Sequence, residues 1–167
     1  IVLQPLEDIE LLEDSGVATI ELSNVFSDVD GDILSYNVDL NTNDIITAEI
    51  SGETLIINTL QNQYGGPVIA MVTASDQSGG TPASDNFEIM ITGVNDPPIL
   101  SQIDDQTINE DSQLVYSLSA NDVDGDILIY DGQISGNGII NITGNILSVT
   151  PTPDYYGNID ITISVSD

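Results

Sequence analysis

Asn86-Phe87-Glu88-Ile89-Met90-Ile91-Thr92 puts Phe87, Ile89 and Ile91 on one side of an extended chain and Asn86, Glu88 and Thr92 on the other. A period of two residues is the pattern of a strand with one buried face, and no helix of period 3.6 reproduces it. The same alternation recurs on either side. Val17 to Leu22, Thr54 to Ile57 and Val68 to Thr73 carry it in the first half of the chain. Gln113 to Leu118, Ile139 to Thr143, Ile146 to Val149 and Ile159 to Val165 carry it in the second. Turn-forming groups punctuate the runs: Ser51-Gly52-Glu53, Gly79-Gly80, Gly136-Asn137-Gly138 and Gly144-Asn145. Short strands at this spacing predict an all-β sandwich, and no segment reads as a helix. Tyr64 and Tyr156, each just before a glycine and a strand, are candidates for corner tyrosines that bond back to the main chain; an ordinary core or surface tyrosine is the other reading.

The chain repeats itself. Ser27-Asp28-Val29-Asp30-Gly31-Asp32-Ile33-Leu34-Ser35-Tyr36 is answered 94 residues later by Asn121-Asp122-Val123-Asp124-Gly125-Asp126-Ile127-Leu128-Ile129-Tyr130. Glu13-Asp14-Ser15 answers Glu110-Asp111-Ser112, and Asn62-Gln63-Tyr64-Gly65 answers Asp154-Tyr155-Tyr156-Gly157. Thr73-Ala74-Ser75-Asp76 answers Ser164-Val165-Ser166-Asp167. The expected organisation is two tandem Greek-key β-sandwiches of a seven-stranded type. The first spans 1–94 and the second 99–167, with a semi-rigid linker 95–98 that ends in Pro97-Pro98. After Asp76 the first copy runs on into Phe87 to Thr92, whereas the second copy stops at Asp167, so the second sandwich is expected to lack its last strand. Two explanations are open: a repeat array cut short, or a strand donated by another copy of the chain to an open edge.

Charge sets the chemistry. Twenty-eight Asp and Glu face no Lys, Arg or His, giving a formal charge of −28. No side-chain ion pair can form, so every carboxylate is solvated, hydrogen-bonded or bound to a cation. Two carboxylates 4 Å apart repel by about 4 kcal/mol at an effective dielectric of 20. Apolar residues make up 40 % of the chain, too many for a disordered acidic tail. Nucleic acid is excluded as a partner because no residue can neutralise phosphate. Direct membrane insertion is not expected, since no apolar run approaches the roughly 18 residues that span a bilayer. Cysteine is absent, so no disulfide framework exists.

Asp28, Asp30 and Asp32, and again Asp122, Asp124 and Asp126, place three carboxylates at alternate positions around a glycine. Calcium takes six to eight hard oxygen ligands and tolerates irregular geometry, whereas zinc prefers the Cys and His this chain lacks. The helix–loop–helix calcium loop does not fit: it needs glycine at its sixth position and glutamate at its twelfth, where Ile33 and Ile127, and Asp39 and Gln133, stand here. Polar turns without a metal are the alternative. Recurrence of the spacing in a chain with no counter-charge favours Ca2+.

These motifs, in this order, resemble tandem cadherin-like repeats of large bacterial surface proteins and adhesins. The matching pieces are Glu13 and Glu110, the run Ala120 to Tyr130, the corner residues Asn62 and Asp154, Asp76 and Asp167, and Asn95-Asp96-Pro97-Pro98. The resemblance implies Ca2+ at the joints between successive domains. Glu13, Asn62, Asn95, Asp96, Asp122, Asp124, Asp126 and Asp167 would serve the middle joint. Asp28, Asp30, Asp32 and Asp76 would serve the joint before it, and Glu110 and Asp154 the joint after it. The family's acidic corner is Asn62-Gln63-Tyr64 in the first copy, which removes a strong ligand there.

The functional expectation is an extracellular structural and adhesive repeat whose joints Ca2+ stiffens. Its partners would be neighbouring repeats of the same protein and a host or cell-surface ligand. A carbohydrate-binding sandwich of a secreted protein is the alternative, weakened by the absence of Trp. Catalysis is not expected. Without His, Cys or Lys there is no Ser-His-Asp, Cys-His or Schiff-base chemistry, and no carboxylate pair sits in an apolar setting suited to glycoside hydrolysis. Asn141-Ile142-Thr143 matches a glycosylation acceptor but lies inside a predicted strand.

Overall fold

A computed structural model of the chain describes residues 1–76 and 78–167. The chain divides into two compact units, Ile1–Val94 and Asn95–Asp167.

The first unit is a sandwich of two sheets. Strands β1 (Ile9–Leu12), β2 (Val17–Glu21), β3 (Ser35–Leu40), β4 (Ile46–Ser51), β5 (Thr54–Thr59), β6 (Gly65–Ser75) and β7 (Ala83–Thr92) follow one another, with a single 3-10 turn at Leu22–Asn24. One sheet has the order β1-β7-β6-β3 and the other β2-β5-β4. The β7 alternation works as its pattern predicts. Phe87, Ile89 and Ile91 are buried, and Val68, Ala70 and Val72 of the antiparallel neighbour β6 are fully enclosed beside them. Ile46, Leu55 and Ile57 of the opposite sheet close the core, together with Leu22 of the 3-10 turn. Phe26 and Tyr36 add a tilted ring pair with centroids 6.0 Å apart. β6 carries an irregularity between Gly65 and Val68. Gly66 sits there at φ 122°, and a Cβ on it would lie 3.0 Å from the Ile89 carbonyl oxygen, so no other residue fits without moving the ladder.

The second unit repeats much of this plan among the described residues. It contains β8 (Ile99–Leu100), β9 (Leu114–Ser117), β10 (Ala120–Asn121), β11 (Ile129–Ile134), β12 (Gly138–Thr143), β13 (Ile146–Pro151) and β14 (Ile161–Ser166). β12-β13-β9 form the counterpart of the β2-β5-β4 sheet, while β11 and β14 alone form the other. β14 corresponds to β6, and among the described residues none corresponds to β7. A second loss follows from the first. β1 exists because it runs parallel to β7, from Ile9 opposite Ile89 to Leu12 opposite Thr92. Its counterpart near Ile108 has no such neighbour and forms no strand.

The missing cover shows in the core. Leu118, Leu147 and Val149 are its buried apolar residues, whereas Ile161, Ile163 and Val165 of β14 alternate inward but stay half-exposed. A groove of about 660 Å³ opens beside them, floored by Leu147, Val149, Ile161 and Ile163. Strands β1, β3, β4 and β11 lie outside the runs read from the sequence, although Tyr36, Val38 and Leu40 of β3 and Ile46, Ala48 and Ile50 of β4 alternate inward as β7 does.

Candidate metal centre

The acidic loops are built by their own first aspartates. Asp28 Oδ1 accepts the backbone N–H groups of Asp30 at 2.8 Å and Asp32 at 3.1 Å. In the second unit Asp122 Oδ1 accepts the N–H of Asp126 at 3.0 Å. The chain then reverses through Gly31 at φ 83° and Gly125 at φ 79°, values at which an L side chain is strained. This closure turns the valine and isoleucine of each loop outward: Ile33 is 89 % exposed and Ile127 86 %. The loop spends no apolar burial on its own shape.

The two copies differ in what their carboxylates do. Asp122, Asp124 and Asp126 each offer one oxygen, and the three oxygens lie within 4.8 Å of one another. Asp122 Oδ2 is enclosed and has no hydrogen-bond partner among the described residues. Asp28, Asp30 and Asp32 form no such group among the described residues, because Asp32 Oδ2 is engaged by the Ser78 hydroxyl at 2.7 Å. Asp76 Oδ1 in turn accepts the N–H groups of Ser78 at 2.9 Å and Gly80 at 3.3 Å. The hydrogen bond from the Asp32 N–H, and then those from Asp30 and Gly31, hold the Asp28 carboxyl below the usual carboxylate range.

More of the expected ligand set gathers at this end of the second unit. Asp96 N–H donates to Asp124 Oδ2 at 2.7 Å, and Asn95 Nδ2 donates to Asp167 Oδ2 at 2.8 Å. The stretch expected as a linker is thus bonded into the second unit from its first residue. Three carboxylates this close repel one another without a cation, although Asp126 is exposed and Asp122 and Asp124 are only half-buried, and the oxygen-only donor set is that of a hard divalent ion. The residues therefore fit Ca2+ by charge and ligand type.

The remaining expected ligands fall elsewhere. Glu13 is 2 % exposed; its Oε1 accepts the Val94 N–H at 2.7 Å, while Oε2 is buried without a hydrogen-bond partner. Gly93 lies against it, close enough that a Cβ there would stand 3.4 Å from Glu13 Oε1 and 3.3 Å from the Tyr64 ring. Its repeat equivalent Glu110 is exposed and lines the groove instead. Asn62 and Asp154 are corner residues with φ 56° and φ 59°. Each donates its backbone N–H to a carboxylate, Asn62 to Asp14 Oδ1 and Asp154 to Asp111 Oδ1. Sequence reasoning missed Asp14 and Asp111, although both stand in the aligned triplets. Of the two readings of Tyr156, the surface one holds. Tyr155, not Tyr156, bonds back to the main chain, through its hydroxyl to the Asn158 carbonyl at 3.1 Å, and Tyr156 is 87 % exposed.

Residues 95–167 match the family model of the bacterial Ig domain. The matched residues are those of the second unit. Among solved structures the chain is similar to an endo-fucoidan hydrolase of glycoside hydrolase family 107, at 15 % identity and TM-score 0.48 over 99 % of this chain and 28 % of the other. It is also similar to the titin domains Z1Z2 in complex with telethonin, at 16 % identity and TM-score 0.39 over 99 % and 92 %. The chain spans little more than a quarter of the hydrolase chain it matches. No curated protein matches it as a relative. Bacterial Ig domains occur in surface proteins and are typically non-catalytic. Among the described residues no helix is long and apolar enough to cross a membrane.

Proposed function

We propose that this chain is a pair of structural repeats from an extracellular surface protein, stiffened by Ca2+. The observation that carries the reading is the convergence of Asp122, Asp124 and Asp126 within 4.8 Å in a protein with no Lys, Arg or His. The ion would be held by these three carboxylates, with Asp96 and Asp167 next in line through their bonds to Asp124 and Asn95. When bound, Ca2+ supplies the positive charge that no side chain here provides.

The residues of the chain do the rest. The Asp126 N–H fixes the Asp122 carboxylate in place, and the glycine turn at Gly125 brings Asp124 and Asp126 back beside it. Asp96 ties the entering segment to this loop. Fixing the segment where the chain enters a repeat removes backbone freedom there, which is the physical content of stiffening. Adhesion and the cadherin-like character rest on the motif resemblance.

Isothermal titration of the chain with CaCl2, against an Asp122→Asn and Asp124→Asn double variant, tests the reading. Saturable Ca2+ binding that the double variant loses supports it. Equal binding by both proteins, or no binding at millimolar Ca2+, refutes it.

A further inference from the structure

We propose that Asn141 carries an N-linked sugar, and that this sugar blunts the exposed edge of strand β12. The site does not rest on Ca2+ binding.

The strand itself presents the acceptor. Of the chain's fourteen asparagines, Asn141 alone is followed by a residue other than proline and then by serine or threonine. The alternation of β12 puts Asn141 and Thr143 on the same exposed face, while Ile140 and Ile142 turn inward. Asn141 Nδ2 donates to Thr143 Oγ1 at 3.2 Å, so the acceptor amide and the hydroxyl of the triplet already stand together. Among the described residues β12 pairs with β13 alone, on one side. The triplet is thus extended, at a sheet edge and open to solvent, where a bulky modification fits without disturbing the core.

The charge pattern gives the sugar a task. An exposed edge strand is a template for pairing with another chain, and charged side chains are a usual block. Every edge strand of the first unit carries an exposed acid: Glu10 in β1, Asp39 in β3, Glu21 in β2 and Glu49 in β4. β12 has none. Residues 132–153 are uncharged throughout, and Ile139 is 72 % exposed on the same face as Asn141. β9, the opposite edge of that sheet, is also uncharged but only four residues long. The hairpins of the two units match position for position, because Ser51 pairs with Thr54 across Gly52-Glu53 as Thr143 pairs with Ile146 across Gly144-Asn145. Asn141 therefore stands where Glu49 stands. A hydrated sugar there blocks by volume what Glu49 blocks by charge.

The donor is a sugar diphosphate, linked to a nucleotide or to a polyprenyl lipid. Asn141 Nδ2 attacks the anomeric carbon and a C–N bond forms. The bond from that carbon to the phosphate oxygen breaks, and its electron pair leaves with the diphosphate. One amide proton passes to a base of the transferring enzyme, and nothing is oxidised or reduced.

The test starts from the intact chain made by the cells that produce it. Cleavage before Asp131 and Asp154 releases residues 131–153, with Asn141 inside. Mass spectrometry should find this fragment heavier by a sugar, and its fragmentation should place the sugar on Asn141. Asn141→Gln and Thr143→Ala should lose the increment, and Thr143→Ser should keep it. Incubation of the unmodified chain with the soluble fraction of those cells plus nucleotide sugar, or with their membranes and lipid-linked sugar, tells the two donors apart. A fragment of unmodified mass from the cells and from both incubations overturns the site, as does a sugar on Thr143 in place of Asn141. Sedimentation tests the shield. The unmodified chain should associate as its concentration rises, whereas the sugar-bearing chain and a sugar-free Asn141→Glu variant should stay monomeric. Equal association of the three overturns the blunting role.

Discussion

Asp111 Oδ1 accepts the backbone N–H of Asp154 at 3.0 Å, and the bond is repeated at the same length by Asp14 and Asn62 in the other unit. In both copies donor and acceptor residues sit in the left-handed region: Asp111 at φ 60°, Asp154 at φ 59°, Asp14 at φ 55° and Asn62 at φ 56°. Only short polar side chains adopt that conformation readily, and the paired turns explain why the Glu-Asp-Ser triplet recurs. Asp111→Ala loses both the acceptor and the tolerance of positive φ. It should destabilise the second unit by about 1–2 kcal/mol, whereas Asp111→Asn keeps both and should cost less than about 0.5 kcal/mol. Urea unfolding followed by tyrosine fluorescence separates the two; equal losses would remove the bond from the account.

The unequal cores predict unequal costs for the same deletion. Ile89 is fully enclosed between β6 and the opposite sheet, so Ile89→Ala should cost about 2–5 kcal/mol. Ile163 faces the groove and is half-exposed, so Ile163→Ala removes less buried surface and leaves no sealed cavity. Its cost should be about 1 kcal/mol. Thermal unfolding of the two variants beside the parent decides it. A loss at Ile163 as large as that at Ile89 would mean that the groove is not open in solution.

The alternation of Phe87, Ile89 and Ile91 made the sandwich legible, and the twin Asp-Val-Asp-Gly-Asp runs made the duplication legible, because both depend on local spacing alone. What escaped the sequence was decided by partners far along the chain. β1 is a strand only where β7 lies beside it, so its counterpart near Ile108 looks similar as sequence and has no ladder. The two acidic loops read alike, yet Ser78 takes Asp32 away from its neighbours while Asp126 stays with Asp122 and Asp124. Glu13 and Glu110 align, yet one is enclosed beneath Val94 and the other exposed.

The exposed Asp28 carboxylate gives a signed pH dependence. Its N–H donors, Asp32 foremost, favour the charged form and place its folded pKa below the ordinary value of about 3.9. A depressed acid pKa contributes stability that is complete above the unfolded value and is lost as pH falls through the folded one. The loop from Asp28 to Asp32 should therefore hold its shape at neutral pH and loosen as pH falls below the ordinary aspartate value and through the lowered folded one. Carbon-13 detection of the Asp28 carboxyl should give a midpoint lower than that of an unfolded aspartate, and Asp28→Asn should abolish the acid-dependent loosening. A midpoint at or above the unfolded value would contradict the two short N–H contacts.

Gly125 couples backbone strain to the carboxylate cluster. At φ 79° it makes the reversal that returns Asp126 to Asp122, and a Cβ there meets no atom within 4 Å, so an alanine would be strained without clashing. Gly125→Ala should thus cost about 1 kcal/mol in the metal-free protein through backbone conformation alone. If the loop relaxes toward negative φ to relieve that strain, Asp124 and Asp126 move out of reach of a shared ion, and Ca2+ affinity falls further than stability does. Ligand linkage makes the contrast measurable: at a Ca2+ concentration one hundred times its Kd, a bound ion stabilises by about 2.7 kcal/mol. The parent should gain that increment between chelator and CaCl2, and Gly125→Ala should gain visibly less. Ile33→Ala, on an exposed side chain of the other loop, should leave the increment intact. Equal gains in the parent and Gly125→Ala would show that the glycine shapes the turn without serving the ion.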